Sequence, residues 1–159
     1  MMAAQPMTLA EIEADPVPLI RRCMEAYPGL WWGSHLARQE PVTQTGQDLR
    51  QMREEDRAET LGVQGQQQVI RAAQFLAQAP RTATVNRKRG TYAWKHAAER
   101  WHERRGTPAY VGEGAFLIAA IGMGLIAKPR GPHHLLNLSE AGWIDSNPEW
   151  RAPRRRRGQ

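Results

Sequence analysis

The chain has 159 residues, 41% of them hydrophobic, and 22 Lys and Arg against 16 Asp and Glu give a net charge of +6. That length suits one domain with tails, and the single cysteine, Cys23, excludes an intrachain disulfide and points to a reducing compartment. The longest apolar block, 115–127, is interrupted by Gly122 and Gly124 and falls short of the roughly 20 residues of a membrane span; no stretch resembles a signal peptide, so a soluble cytoplasmic protein with no membrane partner is expected.

In chain order, Thr8-Leu9-Ala10-Glu11 has capping-box spacing and predicts a short helix from Leu9. Asp15-Pro16 and Pro18 break and restart the chain. Leu19, Ile20, Cys23, Met24 and Tyr27 then recur at helical spacing as one buried stripe, ended by Pro28-Gly29. Leu30-Trp31-Trp32 follows, either a plug for the core or an exposed contact surface. Residues 37–46 read as a loop. Residues 47–60 are good helix formers with few apolar positions, an exposed helix or a connector. Residues 65–79 form a clearer helix, with Val69, Ala72, Ala73, Leu76 and Ala79 along one side.

The segment 91–105 opens at Thr91, a suitable N-cap, and carries Trp94, Ala97, Ala98 and Trp101 at i, i+3, i+4, i+7. Gly112 is the expected N-cap of the next helix, with Glu113 in its first turn, where the helix dipole favours an acid. From Ala115 to Met123 that helix is apolar on all sides and must be covered by its neighbours. Gly124 suits a C′ position. Leu125-Ile126 and Leu135–Leu138 are expected to pair across a five-residue loop, 128–132.

The fold class expected is therefore mainly α: a small helical domain with a C-terminal β-hairpin, in a winged-helix-like element order. Its parts are a helical N-terminal region (1–80), a helix-helix-hairpin core (81–139), an irregular stretch (140–150) and a disordered Arg-rich tail (151–159).

Charge is unevenly distributed. Residues 1–80 carry −3, residues 81–106 carry +6, residues 107–150 carry −2 and the last nine carry +5. Two basic segments on a near-neutral body favour a polyanionic partner. The candidate contacts are Arg87, Lys88, Arg89, Lys95, Arg104 and Arg105, with Lys128 and Arg130 on the wing and Arg154, Arg155, Arg156 and Arg157 in the tail. Such residues meet phosphates, so binding is expected to be largely sequence-independent and steeply salt-dependent. In a winged helix the last helix reads bases, but 115–121 offers no polar side chain to do so.

No catalytic, metal or cofactor motif is present. Glu99-x-x-His102 has di-iron spacing, but the neighbouring helices supply no inward acids. His133 and His134 are adjacent on a strand and point to opposite faces, and one Cys with scattered His makes no zinc set. Walker A and nucleophile-elbow patterns are missing. A second functional reading is a protein-binding inhibitor or adaptor acting on a host nucleic-acid-handling or defence complex, of the anti-CRISPR kind. Its anchors would include Trp31, Trp32, Trp143 and Trp150. A third is an enzyme using His96 and Glu99 as an acid–base pair.

Asn86-Arg87, Tyr92, Lys95-His96, Glu99, Tyr110-Val111, Gly114-Ala115, Ala119-Ala120 and Asn137-Leu138-Ser139 form a pattern. Over 86–139 it resembles a group of small proteins of proteobacterial plasmids, phages and integrated elements. Gly90-Thr91 and Gly112-Glu113 stand where that group has Ser-Ser and Ser-Asn. The resemblance implies a mobile-element setting and no catalytic residue. The first functional reading is accordingly an accessory nucleic-acid-binding protein of a mobile element.

Overall fold

The computed structural model describes residues 5–27, 54–55 and 58–150, of which Trp150 only in its backbone. It is mainly helical, with a two-stranded antiparallel hairpin near the C-terminal end: α1 (Leu9–Ala14), α2 (Val17–Ala26), α3 (Val63–Gln78), α4 (Thr91–Arg104), α5 (Glu113–Gly122), β1 (Ala127–Arg130), β2 (His133–Leu136), α6 (Glu140–Ser146) and a 3-10 turn (Pro148–Trp150). Among the described residues no helix is long and apolar enough to cross a membrane.

The capping box forms as expected. Glu11 N–H donates to Thr8 Oγ1 and Thr8 N–H to Glu11 Oε2, each at 3.2 Å. In α2 the apolar stripe buries Leu19, Ile20, Cys23 and Met24. Tyr27 does not join it: it is the C-cap residue, past the last full turn, and is 39% exposed. Burial pushes the Cys23 thiol up to about 11, which leaves it an inert core residue.

Helix α5 is the axis of the domain. Nine of its ten residues are buried, with α3, α2 and α4 packed around it. Phe75 of α3 meets Phe116 of α5 at 6.3 Å between ring centroids. Each such fully buried large side chain contributes about 2–3 kcal/mol. At Gly122 the Leu19 side chain of α2 packs directly on the α5 backbone, since a Cβ there would overlap it. A helix covered on every side cannot enter a DNA groove, so α5 is no base-reading helix despite its place in the order.

Three local expectations differ. Thr91 is the first helical residue and not the N-cap; Gly90 takes that position, held extended by a backbone bridge to Leu135. The hairpin starts later, because the Leu125 and Ile126 N–H groups are already engaged by Ala120 O and Asn137 Oδ1. Ala127 pairs with Leu136 and Arg130 with His133, closing on Gly131-Pro132 with Gly131 at φ 58°. The stretch expected to be irregular contains α6, started by Ser139 Oγ accepting from Ala141 N–H. Its Trp143 ring packs edge-on against Trp94 of α4 at 5.9 Å.

The loop 80–90 and the segment 134–139 are stitched together. Arg81 bridges Leu138, Thr82 N–H donates to Asn137 O, and Asn86 Nδ2 donates to Leu138 O. This seam sets the basic loop 86–89 beside the hairpin.

Candidate nucleic-acid interface and the adjoining cleft

Loop 86–89 and strand β1 meet at one contact. Arg130 Nη1 donates to Arg87 O at 2.7 Å. Arg87, Lys88, Lys128 and Arg130 are all exposed there, and among the described residues none forms an ion pair. Across the hairpin from Arg130 lies His133, whose ring sits 5.8 Å from that of Tyr92. Tyr92 is 53% exposed. A cationic rim thus borders an aromatic platform.

The remaining basic candidates are engaged elsewhere. Arg89 forms a forked ion pair with Glu140, 3.1 Å at the nearest, and stacks on Trp143 at 3.9 Å. Burial raises the Glu140 pKa, but hydrogen bonds from Asn86 and Arg89 and the charges of Arg89 and Lys88 outweigh it and hold the carboxyl below its ordinary value. Lys95 is 91% buried and pairs with Glu99 at 3.0 Å. Arg104 donates to the carbonyls of Asp145 and Ser146 at the C-terminal end of α6, and Arg105 stacks on Trp101 at 3.6 Å. Arg104 and Arg105 also lie at the far end of α4, about 20 Å from Thr91 by helix rise. The basic residues of 87–105 therefore do not share one face. Trp143 is 7% exposed and so is not an exposed anchor. Trp31, Trp32 and Arg154–Arg157 lie outside the described residues, as does the side chain of Trp150.

Behind the platform, three elements are joined through one buried carboxylate. Glu113 Oε1 accepts from Thr91 Oγ1 at 2.7 Å and from His133 Nδ1 at 2.6 Å. A carboxylate only accepts, so His133 carries its proton on Nδ1 when neutral and leaves Nε2 unprotonated. Glu99 does the same on the other side of Tyr92. Its Oε2 binds His96 Nδ1 at 2.8 Å, and its Oε1 takes Lys95 Nζ and, at 3.3 Å, Val111 N–H. The His96 ring stands edge-on to Tyr92 at 4.8 Å.

Tyr92, Lys95 and Glu113 of these groups line a cleft of about 840 Å³. Tyr92 and Tyr110 are exposed on its sides, with Lys95 Nζ 5.6 Å and 5.5 Å from their ring centroids. Gln68, Lys95 and Glu113 line it as buried polar groups, and Gln68 Oε1 accepts from Gly112 N–H at 2.8 Å. Several residues that carry the sequence pattern over 86–139, namely Tyr92, Lys95, His96, Glu99 and Tyr110, thus converge on one place.

The sequence reading missed Glu113, His133 and Gln68 as partners here. The one available signal was an acid opening a helix that is otherwise apolar throughout. Among the described residues no three His, Cys, Asp or Glu side chains converge to hold a metal ion. The chain matches no protein-family model, no curated protein and no solved structure.

Proposed function

We propose that this protein binds single-stranded nucleic acid as an accessory factor of a bacterial mobile element, through the face formed by loop 86–89, β1 and the Tyr92 platform. The observation that carries this reading is the Arg130–Arg87 contact, which joins two basic segments into one unneutralised rim. Exposed cations track a phosphate backbone, and an adjacent aromatic ring stacks a base whatever its identity. The grip is electrostatic and weakly sequence-dependent. The mobile-element setting follows from the resemblance over 86–139.

The test is binding of the full chain to single- and double-stranded DNA and RNA between about 50 and 200 mM salt. Single strands are expected to bind more tightly. Arg87→Ala with Arg130→Ala is expected to lower the salt slope by roughly 1–2. A chain with Arg154–Arg157 changed to Ser keeps its single-strand preference. Binding that vanishes with the tail arginines and ignores Arg87 and Arg130 overturns the reading.

A further inference from the structure

We propose that the cleft between Tyr92 and Tyr110 is a guanine pocket, which gives the nucleic-acid face a base preference; the inference rests on the nucleic-acid reading for its source of guanine. Three polar side chains at the cleft are almost wholly buried: Gln68 at 3% exposure, Glu113 at 6% and Lys95 at 9%. Burying such groups is unfavourable unless their hydrogen bonds are completed. Here they are completed only in part. Glu113 Oε1 holds two donors while Oε2 has no partner among the described residues. Lys95 uses one of its three N–H donors on Glu99. Gln68 accepts from Gly112, and its amide nitrogen has no partner among the described residues. All three side chains line the cleft, so it holds one residue with a spare acceptor and two with spare donors.

The ligand class follows from that mixture. A free anion is opposed by Glu113 and by Glu59 at the rim, and a cation is opposed by Lys95. A neutral planar group with acceptors next to donors suits both. Guanine offers O6 and N7 to an ammonium and its N1–H and N2 hydrogens to a carboxylate. Its faces would stack on the tyrosine rings, which already attract the Lys95 ammonium. Adenine keeps N7 but presents its N6 amino donors where guanine has O6, and uracil has no second donor for Glu113. Tyr92 belongs both to the platform beside His133 and to the cleft, so a strand held on the basic rim can turn one base inward.

The experiment measures affinity of the full chain for a labelled octauridylate and for the same octamer with one central G, A or C. The G octamer is expected to bind about tenfold more tightly than the others. Glu113→Gln keeps an oxygen for Thr91 and His133 but turns the free acceptor into a donor. It is expected to bring the G octamer within twofold of octauridylate, both measured on the same variant. Tyr110→Ala, at an exposed site whose ring hydroxyl has no partner among the described residues, is expected to weaken the G octamer more than octauridylate. Equal binding of all four octamers overturns the pocket and leaves the basic face standing, as does a G preference that survives both substitutions. If no octamer binds, the nucleic-acid reading fails, and titration with guanosine monophosphate then decides the cleft. Saturable binding lost in Tyr110→Ala upholds it, and no binding overturns it.

Discussion

The main-chain N–H of His134 donates to Thr91 Oγ1 at 3.1 Å, and that hydroxyl donates in turn to Glu113 Oε1. One fully buried threonine thus links the hairpin, α4 and α5 through both of its hydrogen-bonding roles. Thr91→Val keeps the shape and removes both bonds, leaving a buried N–H unpaired and Glu113 with one donor fewer. The expected loss is about 1–3 kcal/mol in urea unfolding, and Thr91→Ser recovers most of it.

His134 is 3% exposed and both its ring nitrogens are buried without a partner among the described residues. Burial lowers its pKa from 6.5, with nearby Glu113 raising it and His133 lowering it in smaller measure. The folded state holds the ring neutral below the pH at which the unfolded chain protonates it. Its contribution is therefore intact above pH 6.5 and is lost as pH falls toward the depressed value. His134→Leu removes two unpaired polar atoms and is expected to stabilise by about 1 kcal/mol at neutral pH. It also flattens the fall in stability below pH 6.5, read from urea midpoints as a function of pH. His102 is also lowered by burial, yet its ring bonds Thr107 Oγ1 and Arg71 O, both at 2.9 Å. His102→Leu is expected to destabilise.

Gly122 leaves the space on α5 that the Leu19 side chain of α2 fills. Ala at this position drives a methyl into Leu19, a fully buried side chain. The expected cost is about 1–3 kcal/mol, outweighing any gain in helix propensity. Gly122→Ala combined with Leu19→Ala is expected to be less destabilised than the sum of the two single variants, a coupling a double-mutant cycle measures directly.

The two ends of α4 make different predictions about charge. Reversing Arg87 and Arg130 to Glu is expected to weaken single-strand binding more than tenfold at about 100 mM salt, because the two new carboxylates offset Lys88 and Lys128 and the rim loses its net positive charge. Arg104→Ala and Arg105→Ala leave that affinity within about twofold; Arg104→Ala instead lowers stability by about 1 kcal/mol through loss of its bonds to the end of α6. Comparable losses of binding from the two pairs would show that the interface lies elsewhere.

The helices were legible because their signals are periodic and local. Leu19, Ile20 and Cys23, or Trp94, Ala97 and Ala98, announce a buried face within ten residues of chain. The hairpin register was not, because it depends on donors being taken elsewhere: Leu125 by the end of α5 and Ile126 by Asn137. The N-terminal cap of α4 moved for the same reason, since a bridge from Leu135 holds Gly90 extended. Among the charges, sequence counts Arg89, Lys95 and Arg104 as free cations. Only the folded chain brings Glu140 51 positions in sequence to Arg89 and the end of α6 to Arg104. The cleft follows the same rule. Gln68, Lys95 and Glu113 come from three helices, and no spacing in the chain connects them.

The seam between 80–90 and 134–139, and the cover of Trp94 by Trp143, have a bearing on how the chain is made. Asn86 waits for Leu138, 52 residues downstream, and Trp94 is enclosed only when α6 has formed. Synthesis runs from the N-terminus at about 5–20 residues per second. The α4 stripe therefore leaves the ribosome seconds before its cover does. A chain ending within β1 lacks the α6 cover over the Trp94 indole.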